Sequence, residues 1–149
     1  MIHTDFLFRN TIINCAFIAW FLAQFIKVLL SMYKGKLDLS RLTGAGGMPS
    51  SHTSTVLALT TAVYLTSGYQ SIEFAIALTL SGIVMYDATG VRRAAGEQAK
   101  IINYMMENWA DTSPKMFTKE LKELLGHTPL EVIAGAILGV IIGIIFVRI

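Results

Sequence analysis

The chain has 149 residues, 54% of them hydrophobic, and its mean hydropathy of +0.58 is high for a soluble protein of this length. Its formal net charge of +2 is too small to indicate nucleic-acid binding, so no nucleic-acid partner is expected. The single cysteine, Cys15, excludes an internal disulfide and indicates ordinary packing in an apolar segment. The apolar surplus predicts an integral membrane protein, and the length fits one domain over residues 1–149.

Four apolar segments approach the roughly 20 residues that a helix needs to cross a bilayer. The first, about Thr11 to Tyr33, and the fourth, Pro129 to Val147, are long enough to span alone. The second, about Thr53 to Thr66, and the third, about Ile72 to Tyr86, are marginal in length, and the short link at Gly68 to Ser71 makes them an antiparallel hairpin. We therefore expect an all-α membrane protein, a bundle of about four transmembrane helices.

Two segments between the third and fourth spans have the pattern of amphipathic helices at the membrane surface. Val91 to Trp109 repeats apolar residues every three to four positions, and Phe117 to Leu125 sets Phe and Leu among Lys and Glu. The fourth span carries Gly135, Gly139 and Gly143, a stripe of small residues that permits close helix packing. This stripe fits packing within one chain as well as pairing of subunits in a homo-oligomer.

Alternating crossings place the polar segments on one side of the membrane. These are the end of the first span, the loop after it, the start of the second span, the end of the third, the two surface helices and the start of the fourth. Ten of the twelve Lys and Arg residues fall on this side: Lys27, Lys34, Lys36, Arg41, Arg92, Arg93, Lys100, Lys115, Lys119 and Lys122. Only Arg9 and Arg148 fall on the other side. Because cytoplasmic loops are enriched in Lys and Arg, we expect the polar face to be cytoplasmic.

Two short motifs begin the second and fourth spans. In the first, a glycine-rich loop leads into Ser50, Ser51 and His52, and its backbone N–H groups at a helix N-terminus suit an anion, although a serine here can also serve only as the N-cap. In the second, His127 and Glu131 are four residues apart, so that the carboxylate can orient the imidazole. The alternative for Glu131 is a capping box with the threonine after His127.

Several cations accompany these motifs. Lys27 lies inside the first span, where a buried ammonium costs roughly 3 kcal/mol unless it is paired, which favours a functional role. Arg92 and Arg93 follow Asp87 at the end of the third span, and Arg92 has no acidic residue four positions on. Two histidines and several cations at one edge suit phosphoryl transfer, which needs a nucleophile, charge stabilisation and an acid for the leaving alcohol.

The chain resembles the superfamily of type 2 phosphatidic acid phosphatases and vanadium haloperoxidases, and most closely its small divergent branch of bacterial and plant membrane proteins. The resemblance covers nearly the whole chain, and it is carried by three stretches: GGMPSSH at Gly46 to His52, MYDATGVRRAAG at Met85 to Gly96, and LLGHTPLEVIAGAILG at Leu124 to Gly139. Departures from the superfamily pattern are Ser51 in place of glycine and Glu131 in place of aspartate.

The resemblance implies a role for each matching residue. His127 would be the nucleophile, His52 would protonate the leaving alkoxide, and Glu131 would orient His127. Asp87 is a candidate supporting residue. The residues implied to bind phosphate are Lys27, Arg41, Gly47, Ser50, Ser51, Arg92 and Arg93.

The function that these roles imply is a membrane-embedded phosphatase that needs no metal or other cofactor and acts on a lipid or isoprenoid phosphate through a phosphohistidine. Its partners would be that substrate and the bilayer. The alternative is a non-catalytic membrane protein that binds an anionic lipid headgroup or a partner in the same pocket. A transferase of the CDP-alcohol type is disfavoured, because the acids after Asp87 do not supply the carboxylates that its divalent metal needs.

Overall fold

The computed structural model describes residues 9–33, 47–108 and 126–148, without the side chains of 91–93 and 107–108. This part of the chain forms five α-helices and no strand: α1 (Thr11–Tyr33), α2 (Ser51–Ser67), α3 (Ile72–Thr89), α4 (Val91–Asn108) and α5 (Pro129–Arg148). The prediction of an all-α membrane protein is confirmed. The short amphipathic helix predicted at Phe117 to Leu125 lies outside the described residues.

Three stretches of the described chain are long and apolar enough to cross a membrane: α1, the stretch Ile72–Met106 that begins with α3, and α5. The second predicted span, α2, has 17 residues and a length of about 25 Å. Its threonine hydroxyls donate back to carbonyl oxygens one turn earlier, as Thr55 does to Ser51 at 2.7 Å and Thr66 to Ala62 at 2.9 Å. Polar groups on α2 are thereby satisfied without water.

α2 and α5 run parallel and in close contact along the glycine stripe of α5. A Cβ atom added to Gly135 would lie 2.5 Å from the carbonyl oxygen of Ser50, and one added to Gly139 would lie 2.4 Å from that of Ser54. Further along, a Cβ on Gly143 would lie 2.7 Å from the Cβ of Thr61. The stripe is therefore occupied by α2 of the same chain, and the N-termini of α2 and α5 lie at the same end of the bundle.

α1 and α3 pack against α2, and both run antiparallel to it. Between α2 and α3, the hydroxyls of Thr60 and Ser81 are 2.7 Å apart, and Ser81 donates to the carbonyl oxygen of Val56 at 3.1 Å. The apolar core at mid-height joins three helices through Ala19, Ala58 and Ile142. Small side chains and hydroxyl pairs thus hold the helices together, as expected where lipid removes the hydrophobic drive for helix association.

The predicted amphipathic helix is present as α4. Ile102 and Met105, two of its regularly spaced apolar residues, are exposed, whereas Gly96 and Asn103 are buried. An exposed apolar face is what an interfacial helix presents to lipid. The position of α4 at the membrane surface stays a prediction.

Candidate active site

Four chain segments meet at one end of the bundle: the last third of α1, the N-terminus of α2, the C-terminus of α3 and the N-terminus of α5. The backbone N–H of His127 donates to the carbonyl oxygen of Ala88 at 3.0 Å, which ties the start of α5 to the end of α3. The backbone N–H of Ser50 donates to the carbonyl oxygen of Glu131 at 2.9 Å, which ties α2 to α5. This arrangement is the convergence that alternating crossings predict.

Ser50 is the N-cap of α2. Its hydroxyl oxygen accepts hydrogen bonds from the backbone N–H of Thr53 at 3.4 Å and from the Thr53 hydroxyl at 3.0 Å. The capping alternative is therefore realised for this serine, which is fully buried. Gly47, three residues earlier, has a φ of 83°, a left-handed conformation that glycine adopts without strain.

Ser51 is the first residue of α2 and the one that contacts Lys27. The ammonium nitrogen of Lys27 donates to the Ser51 hydroxyl oxygen across 3.2 Å. Lys27 is only 1% exposed, so its side chain is enclosed by the bundle. The sequence-predicted lysine and the serine motif are thus brought together, 24 residues apart in the chain.

Glu131 makes both of the contacts that its spacing predicts, one with the His127 imidazole and one in the capping box with Thr128. Its Oε2 lies 3.1 Å from Nδ1 of His127 and also accepts from the backbone N–H of Thr128 at 3.1 Å. The Thr128 hydroxyl in turn accepts from the Glu131 N–H at 3.4 Å, which completes a capping box. One carboxylate therefore caps α5 and fixes the orientation of the His127 ring, and Nε2 is the ring nitrogen not facing Glu131.

The two histidines lie against one another. The ring centroids of His52 and His127 are 6.3 Å apart, and the ring planes meet at 61° in an edge-to-face arrangement. His127 is 3% exposed, whereas His52 is exposed. No layer of apolar side chains separates the imidazoles, and His52 is the member of the pair that faces outward.

The remaining predicted site residues are described in part or not at all. Asp87 lies in α3 directly before Ala88, whose carbonyl oxygen holds His127, and it is half-buried. Arg92 and Arg93 belong to the first turn of α4, but their side chains are outside the described part of the structure, as is the whole of Arg41. Among the residues that are described, no three His, Cys, Asp or Glu side chains are grouped so that they could hold a metal ion.

The electrostatics of this end of the bundle favour an anion. Two parallel helices, α2 and α5, point their N-termini at it, and each terminus carries a partial positive charge from the helix dipole. The buried basic side chain of Lys27 lies beside the first of these termini, in contact with Ser51. A site with two helix N-termini and a basic side chain is chemically suited to bind phosphate.

Three contacts that build this site were not predicted from the sequence. They are the carbonyl oxygen of Ala88, the hydroxyl of Ser54, which donates to the carbonyl oxygen of Gly135 at 2.9 Å, and the close approach of Gly135 to Ser50. The sequence held a signal for the contact between Ser54 and Gly135. Each of these residues lies four positions, about one helical turn, after a residue of the pair Ser50 and Glu131.

The fold and the residues at this end of the bundle define an α-helical integral membrane protein with two histidines and a buried lysine at one end. A family model described as "Divergent PAP2 family" matches residues 8–142, and the chain belongs to this family. The "Uncharacterized membrane protein YuiD" of Bacillus subtilis (strain 168) is 46% identical over 134 residues, which cover 83% of this chain and 85% of that protein. No solved structure matches the chain.

Proposed function

We propose that this chain is a membrane-embedded phosphatase that hydrolyses a lipid or isoprenoid phosphate through a phosphohistidine intermediate. The observation that carries the proposal is the edge-to-face contact of His52 and His127, 6.3 Å between centroids, at the shared N-terminal end of α2 and α5. Membership of the divergent PAP2 family supports the same chemistry.

In the first step, Nε2 of His127 attacks phosphorus while Glu131 holds the proton on Nδ1. A bond forms between Nε2 and phosphorus as the bond from phosphorus to the alkoxide oxygen breaks. His52 gives a proton to the alkoxide, so a neutral alcohol leaves into the bilayer. The 3.1 Å contact between Glu131 and Nδ1 of His127 supports this tautomer, because a carboxylate accepts a hydrogen bond from Nδ1–H and the lone pair on Nε2 is then the one that attacks.

In the second step, water hydrolyses the phosphohistidine. His52, now neutral, removes a proton from water as the oxygen bonds to phosphorus, and the bond from phosphorus to Nε2 breaks to release inorganic phosphate. The Lys27 ammonium and the helix N-termini stabilise the charge on the equatorial phosphoryl oxygens in both steps. Ser51 positions that ammonium through the 3.2 Å hydrogen bond.

The burial of His127 sets the direction of approach. With His127 3% exposed and His52 exposed, the phosphate enters from the His52 side and its tail stays among the helices or in lipid.

We assign this face to the cytoplasm from the distribution of Lys and Arg. A Cys15→Ala protein with a single new cysteine at Gln70 or at Ala95 tests the orientation: an impermeant maleimide added to intact cells should label the first and not the second.

The phosphatase proposal is tested by phosphate release from the purified protein. A panel of lipid and isoprenoid monophosphates and diphosphates is assayed with added chelator, and wild type is compared with His127→Ala. We expect at least one substrate to be hydrolysed by wild type and not by the variant. Hydrolysis of none of the panel, or equal rates for both proteins, would overturn the proposal.

One observation favours a second function, binding of an anionic headgroup without turnover. His127 is almost fully buried, and both its backbone N–H and its Nδ1 are engaged in contacts that fix the start of α5. A histidine with a purely architectural role would have the same surroundings. Binding of anionic lipid that survives His127→Gln, together with an absence of phosphate release by wild type, would support this function.

A further inference from the structure

A groove of about 350 Å³ lies between α2, α3 and α5 at the end of the bundle away from the histidines. Its walls include Tyr64, Leu65, Phe74, Val140, Ile144 and Arg148. The volume is in the range of sites that hold small molecules. The described part of the chain therefore has a concave site with no role in the proposed hydrolysis.

The groove is well separated from the candidate active site. Tyr64 lies 13 residues beyond Ser51 on α2, and Ile144 lies 15 residues beyond Pro129 on α5. At the helical rise per residue, both positions are about 20 Å along the bundle from the N-termini of these helices. The groove therefore belongs to the opposite leaflet.

Its walls suit a hydrocarbon chain. Leu65, Val140 and Ile144 are aliphatic, and the rings of Tyr64 and Phe74 pack at 5.4 Å between centroids where α2 meets α3. At this depth the surroundings are lipid tails, which hold no water to fill an apolar recess. An acyl chain is the component of the bilayer with the shape and polarity of this space.

Its mouth suits an anion. Arg148 borders the groove, lies in the last turn of α5 and is exposed. A cation at the end of a membrane span lies at the depth of the headgroups, and a guanidinium binds phosphate oxygens with charge-assisted hydrogen bonds. The apolar recess and this cation therefore match the two halves of one molecule, an anionic phospholipid.

We propose that the groove binds one anionic phospholipid from the leaflet opposite the candidate active site. One acyl chain fills the recess between α2, α3 and α5, and the phosphate group pairs with Arg148. The phospholipid is bound and not hydrolysed there, since His52 and His127 are at the other end of the bundle. The proposal does not depend on the phosphatase activity.

The first test removes the charge. Full-length protein in a non-ionic detergent is titrated with phosphatidylglycerol or phosphatidylcholine, and bound lipid is counted by native mass spectrometry. We expect wild type to retain one phosphatidylglycerol in preference to phosphatidylcholine, and Arg148→Gln to weaken that binding about fivefold. Arg148→Lys should keep most of the affinity. The control is Arg9→Gln, which removes an exposed cation just before α1, on the same side of the membrane as Arg148, and should keep all of it.

The second test fills the recess. Ile144→Phe places a larger side chain in the groove and should reduce phosphatidylglycerol binding, whereas Ile137→Phe on the exposed face of α5 outside the groove should not. Equal lipid retention by all variants would overturn the proposal. So would loss of binding with Ile144→Phe but not with Arg148→Gln, because the occupant would then be an apolar chain without an anionic headgroup.

Discussion

The ammonium nitrogen of Lys27 lies 3.2 Å from the hydroxyl oxygen of Ser51, inside a bundle that leaves the lysine 1% exposed. This hydrogen bond places the ammonium beside the first residue of α2. An ammonium in the membrane interior is costly, and Lys27 lies beside the N-terminus of α2, where the helix dipole also favours an anion. A buried lysine of this kind is a stronger indication of function than an exposed one.

Replacing Lys27 by methionine tests that role. We expect Lys27→Met to lower kcat/KM for a lipid phosphate by about 100-fold, the scale for removing one group that stabilises transition-state charge. The melting temperature in detergent is measured on the same samples, so that a loss of activity can be distinguished from a loss of folding. Ser51→Ala, which keeps the ammonium and loses its positioning contact, should cost less activity. A fully active Lys27→Met protein would contradict the assignment.

Gly135 fixes the distance between the N-termini of α2 and α5. A Cβ at this position would lie 2.5 Å from the carbonyl oxygen of Ser50, and backbone cannot move aside as a flexible side chain can. We expect Gly135→Ala to cost about 1–3 kcal/mol of stability and to reduce phosphatase activity as the helices separate.

The matched control is Gly82→Ala in α3, where an added Cβ meets nothing within 4 Å. This variant should be neutral or slightly stabilising, since alanine is the better helix former. Both melting temperatures are measured in the same detergent. If Gly135→Ala and Gly82→Ala were equally stable, the close contact of α2 and α5 would be wrong.

The sequence predicts the helices well because lipid imposes simple rules on them. The boundaries of α1 and α5 follow from the length of their apolar runs, and the meeting of Lys27, Ser51 and His127 at one end follows from alternating crossings. The contact partners do not follow from these rules. A glycine stripe does not say whether α2 or a second subunit covers it, and that depends on long-range packing.

Local side-chain geometry was also beyond the sequence. The spacing of Thr128 and Glu131 indicates a capping box, and the spacing of His127 and Glu131 indicates a carboxylate that orients the imidazole. The two interpretations looked like alternatives because each assigns the carboxylate one partner. In the structure a single oxygen, Oε2 of Glu131, reaches both, since an oxygen can accept two hydrogen bonds.

The two roles of Glu131 can be separated by mutation. Glu131→Gln keeps an acceptor for the helix end but removes the charge beside Nδ1 of His127, whereas Thr128→Val weakens the cap and leaves the carboxylate. We expect both to lower stability by about 1 kcal/mol. Only Glu131→Gln should lower kcat by tenfold or more with KM little changed, because it alters the orientation and basicity of the nucleophile. Equal effects on kcat would reduce Glu131 to a capping residue.

His52 is assigned as the acid for the departing alkoxide, and this role depends on the leaving group. We expect His52→Gln to slow hydrolysis of an alkyl phosphate by about 100-fold or more, the range for general acid catalysis. An aryl phosphate with a nitrophenol leaving group needs no proton, so its first step should be slowed far less. The rate of nitrophenol release in a single turnover is the measurement. A uniform loss on both substrates would remove His52 from the acid role.

The phosphohistidine at His127 is tested most directly by trapping a phosphorylated protein. Wild-type protein is mixed with a radiolabelled phosphate ester, quenched in base within one turnover, digested, and analysed for an acid-labile phosphoryl group on the peptide that carries His127. We expect the label to form on wild type, to form more slowly on Glu131→Gln, and to be absent from His127→Ala. Turnover without any labelled protein, or label that persists in His127→Ala, would rule out a phosphohistidine at His127.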